Sequence, residues 1–267
     1  MAKLNESNVL KSINFSDINK INFSEHHFSH AASAFYPSPF EEAVILTLDG
    51  VGEWATTSVA IGKGHKIEIK KEIHFPHSIG LLYSAFTYFL GFQINEGEYK
   101  LMGLASYGKP KFYDLILDKL IDVKKDGSIH LDMSYFAFTH DKVMTNEKFS
   151  KLFGLKPRQK NEPPQQIHFD IGASAQKVLE DVLLKMVKYV YEKFKMKNLC
   201  LGGGVALNGV ANYRILNEGP FDNIHIPPSP GDAGSAVGCA QYLYHIYHKN
   251  RMVKDENQAK FIQENVY

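Results

Sequence analysis

Cysteine and tryptophan are nearly absent from this 267-residue chain, which carries two of the first, Cys200 and Cys239, and one of the second. Two cysteines set in apolar segments exclude the dense disulfide framework of small secreted domains, and both read as small buried thiols. Charge of one sign is lacking too. Thirty basic residues against 29 acidic ones leave a formal charge of +1. No net field draws nucleic acid or an anionic membrane surface, so partners must be argued from local sites. No apolar run approaches the roughly 20 residues of a membrane span, and Met1 to Asn22 mix polar residues throughout, unlike a signal peptide. These absences point to a cytoplasmic protein with no membrane partner, and 44% hydrophobic residues are enough for a substantial core.

What is present is α/β patterning. Ala43 to Asp49 is an apolar run that stops at Asp49-Gly50-Val51-Gly52. Ala55 to Gly62 and Lys66 to Phe75 follow as the next strands of an antiparallel meander, the last alternating Ile67, Ile69 and Ile73 with charge. Ser78 to Leu90 predicts an aromatic helix, and Gln93 to Glu98 a break before Lys100 to Ala105. Asp126 to Pro164 holds two glycines and three prolines and shows little periodicity, so it reads as an insertion. A long amphipathic helix then runs from Asp170 to about Lys195. After it come a strand Asn198–Leu201, a helix Val205–Leu216, a strand Asn223–Ile226 and a helix from Ala233. Two α/β lobes facing a cleft are expected: 1–125 as a partial N-lobe, 126–169 as an inter-lobe insertion, 170–248 as a C-lobe, and 249–267 as a polar tail.

The sharpest local feature is Glu25-His26-His27-Phe28-Ser29-His30. On a helix His26 and His30 share one face, separated by roughly 40° of rotation, and can grip one divalent metal; His27 points away and reads as structural. Histidines at this spacing also occur as ordinary surface or capping residues. Asp49, at the end of a buried strand, and Asp232, in a Gly-flanked loop before a helix, are candidates to complete the set. Each is equally a common turn former or cap. Gly202-Gly203-Gly204 lies between an apolar strand and a helix, where the absence of Cβ atoms lets the backbone approach a phosphate or sugar. It matches neither the lysine-bearing phosphate loop nor the dinucleotide fingerprint, so a tight structural turn stands beside nucleotide binding. Asn208, one turn on, can reach a ribose or phosphate. Ser229 to Ala236 repeats the strand-to-helix design. In Asn95-Glu96-Gly97-Glu98-Tyr99-Lys100, Glu98 and Lys100 are candidates to contact nucleotide or acyl acceptor, against the reading of a solvated loop. His74 and His77, flanking Pro76, read as structural.

Taken in order, EHHFSHAASAF, LTLDGVGEWATT, LLYSAFTYFLGF, NEGEYKLMGLASYG, DIGASAQKVLE, LCLGGGVALNGVANYRI and IPPSPGDAGSAVG resemble the carbamoyltransferase family of nodulation and antibiotic O-carbamoylation. The resemblance runs from about Glu25 to Ala240. It extends, more distantly, to the threonylcarbamoyl-transferring enzymes of tRNA modification. It implies an actin-like, sugar-kinase-like (ribonuclease H-like) two-lobed α/β fold, here with an incomplete N-lobe. The implied metal ligands are His26, His30, Asp49 and Asp232, holding iron, with zinc or magnesium as alternatives. Gly202, Gly203, Gly204 and Asn208 are the implied contacts to ATP or carbamoyl adenylate; Glu98 and Lys100, read from their own loop, are the candidate catalytic groups. The implied reaction moves a carbamoyl group from carbamoyl adenylate to a hydroxyl of a small-molecule acceptor such as a sugar, nodulation factor or antibiotic precursor. The alternatives are tRNA threonylcarbamoyl transfer, which the near-neutral charge disfavours, and a non-catalytic metal- and nucleotide-binding subunit. Two partners are implied: a YrdC-like domain that makes carbamoyl adenylate from carbamoyl phosphate and ATP, absent from this chain, and a polypeptide that supplies the missing N-terminal strands.

Overall fold

The structure, a computed structural model, describes residues 22–250; the expected tail falls outside this range from residue 251 on. A five-stranded mixed sheet has the order β3-β2-β1-β6-β7. Its strands are β1 (Glu42–Leu48), β2 (Ala55–Lys63), β3 (Lys66–His74), β6 (Asn198–Gly202) and β7 (Asn223–His225). The first three form the expected antiparallel meander, and β6 and β7 add in parallel on the other side of β1. β1 is the middle strand, which explains its sequence. Residues Ala43–Leu48 are buried on both faces, so no polar alternation interrupts Val44, Ile45 and Leu46. At the edge, β3 alternates instead.

One face of the sheet carries α1 (His26–Phe35) and α8 (Asp232–Gln241). Ala31, Ala32 and Ala34 are fully buried, and their small side chains let α1 lie close to the strands. Gly238 lets α8 lie equally close to α1, because a Cβ there would fall 1.9 Å from the Ser29 carbonyl oxygen. The opposite face holds the larger core. Its axis is α6 (Gln166–Phe194), a 29-residue helix about 43 Å long, which begins four residues before the expected start. Around it pack α2 (Ile79–Phe89), α3 (Glu98–Ala105), α4 (Tyr113–Lys119) and α7 (Gly209–Glu218).

Residues 126–169 are not set apart from this core. They contribute the strand β5 (Ile129–Leu131), paired with β4 (Ile121–Val123), a 3-10 turn, and α5 (Glu147–Phe153). Phe149 and Phe153 of α5 pack edge-on or tilted against Phe86 and Phe89 of α2 at centroid distances of 4.9–5.9 Å. Interlocked rings of this kind need no helical or strand periodicity, which is why the segment looked featureless. β1–β3 come from the stretch 1–125 and β6–β7 from 170–248, and β1 pairs directly with β6. The described residues therefore carry no break between sheets at either boundary.

The expectation of two buried thiols holds for Cys200 and is corrected for Cys239. The latter is exposed at the margin of the α1–α8 contact, its Sγ 3.5 Å from Ser29 Oγ, because α8 buries only Gly234 and Gly238. Among the described residues no helix is long and apolar enough to cross a membrane.

Two expected outcomes follow from this packing. Gly238→Ala forces α8 away from α1 and should cost about 1–3 kcal/mol, the usual range for overpacking, read as a lower urea midpoint at unchanged slope. Asp170, buried on α6, accepts from Lys111 Nζ at 2.7 Å and the Lys109 N–H at 2.9 Å, and these hold its carboxyl down at about 2. A depressed carboxylate stabilises the fold above its unfolded pKa, near ~4, and loses that contribution as pH falls toward 2. Urea titrations of wild type and Asp170→Asn should therefore differ most above pH 4 and converge as pH falls to 2.

Candidate metal and nucleotide site

Every element that reaches the site ends there for a local reason. Asp49 follows the last residue of β1, where the central strand emerges at the sheet's carboxyl end. The meander turn then closes over α1: a Cβ on Gly52 would lie 2.9 Å from the His26 Cβ, and the Glu53 carboxylate accepts the His26 backbone N–H at 3.0 and 3.1 Å. Glu53 thus satisfies an otherwise free donor at the start of α1. Ser78, the N-cap of α2, accepts from the Leu81 N–H and donates to the carbonyls of Asp49 and Gly50 at 3.0 and 2.7 Å. Asp232 opens α8 directly after Gly231.

These placements bring His26, His30, Asp49 and Asp232 together, with one ligand atom of each within 4.8 Å of the others. Asp49 Oδ2 lies 2.8 Å from His26 Nε2 and 3.0 Å from His30 Nε2. Asp232 Oδ1 lies 3.3 Å from both nitrogens, which are themselves 3.0 Å apart. Donors tetrahedrally arranged at about 2.0–2.1 Å from one ion stand about 3.3 Å apart, so the set fits a single cation. Two imidazole lone pairs in van der Waals contact also require a proton or cation between them. Burial disfavours the Asp49 carboxylate charge, but hydrogen bonds from His26 and His30 outweigh this and hold its pKa far below the usual range. The Asp49 bond in turn raises His26. His30 is fully buried and its Nδ1 lies 3.5 Å from Ser235 Oγ on α8, whereas Asp232 is 75% exposed, so the site opens on the Asp232 side. His27, expected to point off the shared face, is buried: its Nδ1 meets Thr47 Oγ1 at 2.6 Å, and burial pushes its pKa down to about 4.

Asp49 and Asp232 also line a cleft of about 960 Å³. Its other walls include Glu98 and Lys100 of α3, Gly204 and Asn208. Glu98 is held in place, its Oε1 accepting from Ser84 Oγ at 2.7 Å and the Asn95 N–H at 3.1 Å. Lys100 is exposed, lying 5.7 Å from the centre of the Tyr99 ring.

The three glycines separate into different roles. Gly202 packs on α1, and Gly203 has a φ of +86° with its N–H donated to the Pro230 carbonyl; a Cβ there would lie 2.2 Å from the Leu48 carbonyl oxygen. Gly204 faces the cleft and points its N–H at Asp49 Oδ1, 3.3 Å away. Asn208 also lines the cleft, but it caps α7 by accepting the Ala211 N–H at 2.9 Å, and its amide is paired with Gln176. The expected helix from Val205 is thus a 3-10 turn, Gly204–Leu207, followed by α7. Sequence reasoning missed Glu53, Ser78 and Gln176. Ser78 had a signal, as a capping serine before an apolar run; Glu53 and Gln176 act across long sequence separations and had none.

His74 meets Glu72 at 3.0 Å, and His77 Nδ1 accepts the Leu131 N–H at 3.1 Å. Both lie outside the cleft lining.

The profile of the family described as Carbamoyltransferase N-terminus matches residues 3–241. The chain belongs to this family. An uncharacterized protein of Synechocystis sp., sll1178, is 56% identical over 239 residues, covering 89% of this chain and 39% of that protein. Nodulation protein NolNO of Sinorhizobium fredii is 35% identical across 84% of this chain and 31% of its own length. Nodulation protein NolO of Bradyrhizobium diazoefficiens is 34% identical across 80% and 37%. The carbamoyltransferase-family chain thus spans about a third to two fifths of these relatives' lengths.

Gly203 yields a prediction of its own. Gly203→Ala meets both the left-handed backbone and the Leu48 carbonyl, so it should destabilise the whole fold by at least about 1–3 kcal/mol in urea unfolding rather than weaken a ligand selectively.

Proposed function

We propose that this chain is the transfer centre of a carbamoyltransferase, moving the carbamoyl group of carbamoyl adenylate to a hydroxyl of a small-molecule acceptor. The observation that carries the reading is the convergence of His26, His30, Asp49 and Asp232 at the edge of a cleft shared with Glu98, Lys100 and Gly204, in a chain of this family. The four side chains would hold the metal, and two imidazoles with two carboxylates suit iron or zinc better than magnesium, which prefers all-oxygen ligands. Bound there, the ion would act as a Lewis acid on the carbonyl or phosphate oxygen of the mixed anhydride.

The chain's own residues supply the rest. Asp49, held ionised by its two histidines, keeps both imidazoles aimed at one point. Gly204 lets the nucleotide approach the backbone closely, and the exposed Lys100 can neutralise its phosphate. Glu98, fixed by Ser84 and Asn95, is placed to accept the proton of the acceptor hydroxyl. The acceptor oxygen attacks the carbamoyl carbon, the bond from that carbon to the phosphate oxygen breaks, and AMP leaves with the electron pair. Holding the two reactants together in one cleft is the main source of rate. Carbamoyl adenylate would come from a YrdC-like domain, and the acceptor would be a sugar, nodulation factor or antibiotic-like hydroxyl compound.

The decisive measurement is metal content by elemental analysis after anaerobic purification, combined with calorimetric titration of ATP. Wild type should carry about one equivalent of metal and bind ATP, whereas His30→Ala should remain folded and lose the metal. Wild type free of both metal and ATP affinity would overturn the proposal.

A further inference from the structure

Gln176 lies on α6, is 5% exposed, and uses the whole hydrogen-bonding capacity of its amide. Its Oε1 accepts from Tyr83 Oη at 2.7 Å and from Asn208 Nδ2 at 3.0 Å. Its Nε2 donates to Asn208 Oδ1 at 3.0 Å and to Glu180 Oε1 at 2.9 Å. Two of these partners, Tyr83 and Asn208, line the cleft, on α2 and at the start of α7, whereas Gln176 does not. The residue after Tyr83 is Ser84, which holds Glu98. A single buried amide therefore joins the α7 side of the cleft to the α2 side, on which Glu98 at the start of α3 is anchored.

We infer that Gln176 is a positioning residue for the ligand in this cleft, acting through Asn208. The inference rests on the nucleotide reading of the cleft. The two-bond pairing of the amides fixes the Asn208 side-chain plane. Asn208 Oδ1 is then aimed at the Ala211 N–H, and the first turn of α7 is set in one orientation beside Gly204. Without Gln176 the Asn208 amide loses both of its bonds to α6 and keeps the one from the Ala211 N–H, so the first turn of α7 is less firmly set relative to the Glu98 wall. Tyr83 and Asn208 are buried, so water cannot readily replace the bonds they lose.

A double-mutant cycle tests this, with ATP titrated calorimetrically into wild type, Gln176→Met, Asn208→Ala and the double variant, and metal content and Tm measured on each. Gln176→Met should weaken ATP about tenfold with metal content unchanged, and should cost no further affinity once Asn208 is alanine, although it still lowers Tm through Tyr83. A merely structural glutamine would lower Tm with no loss of affinity, or give losses that simply add; either result overturns the inference. If Gln176→Met does not fold, Gln176→Glu combined with Glu180→Gln keeps both acceptor bonds, removes the donation to Asn208 and avoids facing carboxylates, and it should bind ATP more weakly than Glu180→Gln alone; equal affinity would again overturn the inference. Wild type that does not bind ATP would instead remove the nucleotide reading, which separates the two failures.

Discussion

Asp49 is the point at which sheet, helix and loop meet. Its backbone continues the central strand and its Oδ2 contacts His26 and His30 of α1. Its Oδ1 accepts from the Gly50 N–H and faces the Gly204 N–H, and its carbonyl receives the cap of α2. A carboxylate this enclosed would ordinarily protonate. The two imidazoles and the backbone donors keep it charged, and that charge holds the imidazoles in their orientation. The site is therefore a property of β1 having a buried neighbour on each side, not of any one loop.

Close backbone approach is the second constraint. α8 comes near α1 only because Gly238 lacks a side chain, and the turn after β1 clears His26 only because Gly52 does. With larger residues at these positions, Asp232 and the meander turn would stand away from the histidines, and a set of four donors would become scattered side chains. The short helix contacts replace the interlocking of large apolar groups seen on the other face of the sheet.

Much of this was legible in the residues. The meander, the long helix and the two strand-to-helix units follow from period and from Gly and Pro placement, and the spacing of His26 and His30 placed them on one helical face. The glycine loop was only half readable. Three adjacent glycines announce close approach but do not say to what, and two of them turn out to approach the protein's own backbone. Asn208 was visible as a polar residue near a loop, but its engagement with Gln176 was not, because the two stand 32 residues apart on different helices. The aromatic packing of residues 126–169 was hidden for a related reason. Ring-to-ring contact depends on three-dimensional proximity and leaves no periodic trace in the chain. Burial of Cys239 was misjudged because an apolar neighbourhood in sequence does not reveal which side of a glycine-faced helix is turned inward.

The pairing of β1 with β6 has a consequence for the order of assembly. Asp49 and Gly204 meet across 155 residues, and Asp232 lies further along still. The hairpins β1–β2 and β2–β3 close over short loops and can form early, while the parallel neighbour of β1 must await synthesis of the chain through Gly202. Until then one edge of β1 is open and the histidine helix has no α8 to cover it. The donor set is thus completed only after β6 has joined β1 and α8 has closed over the histidine helix.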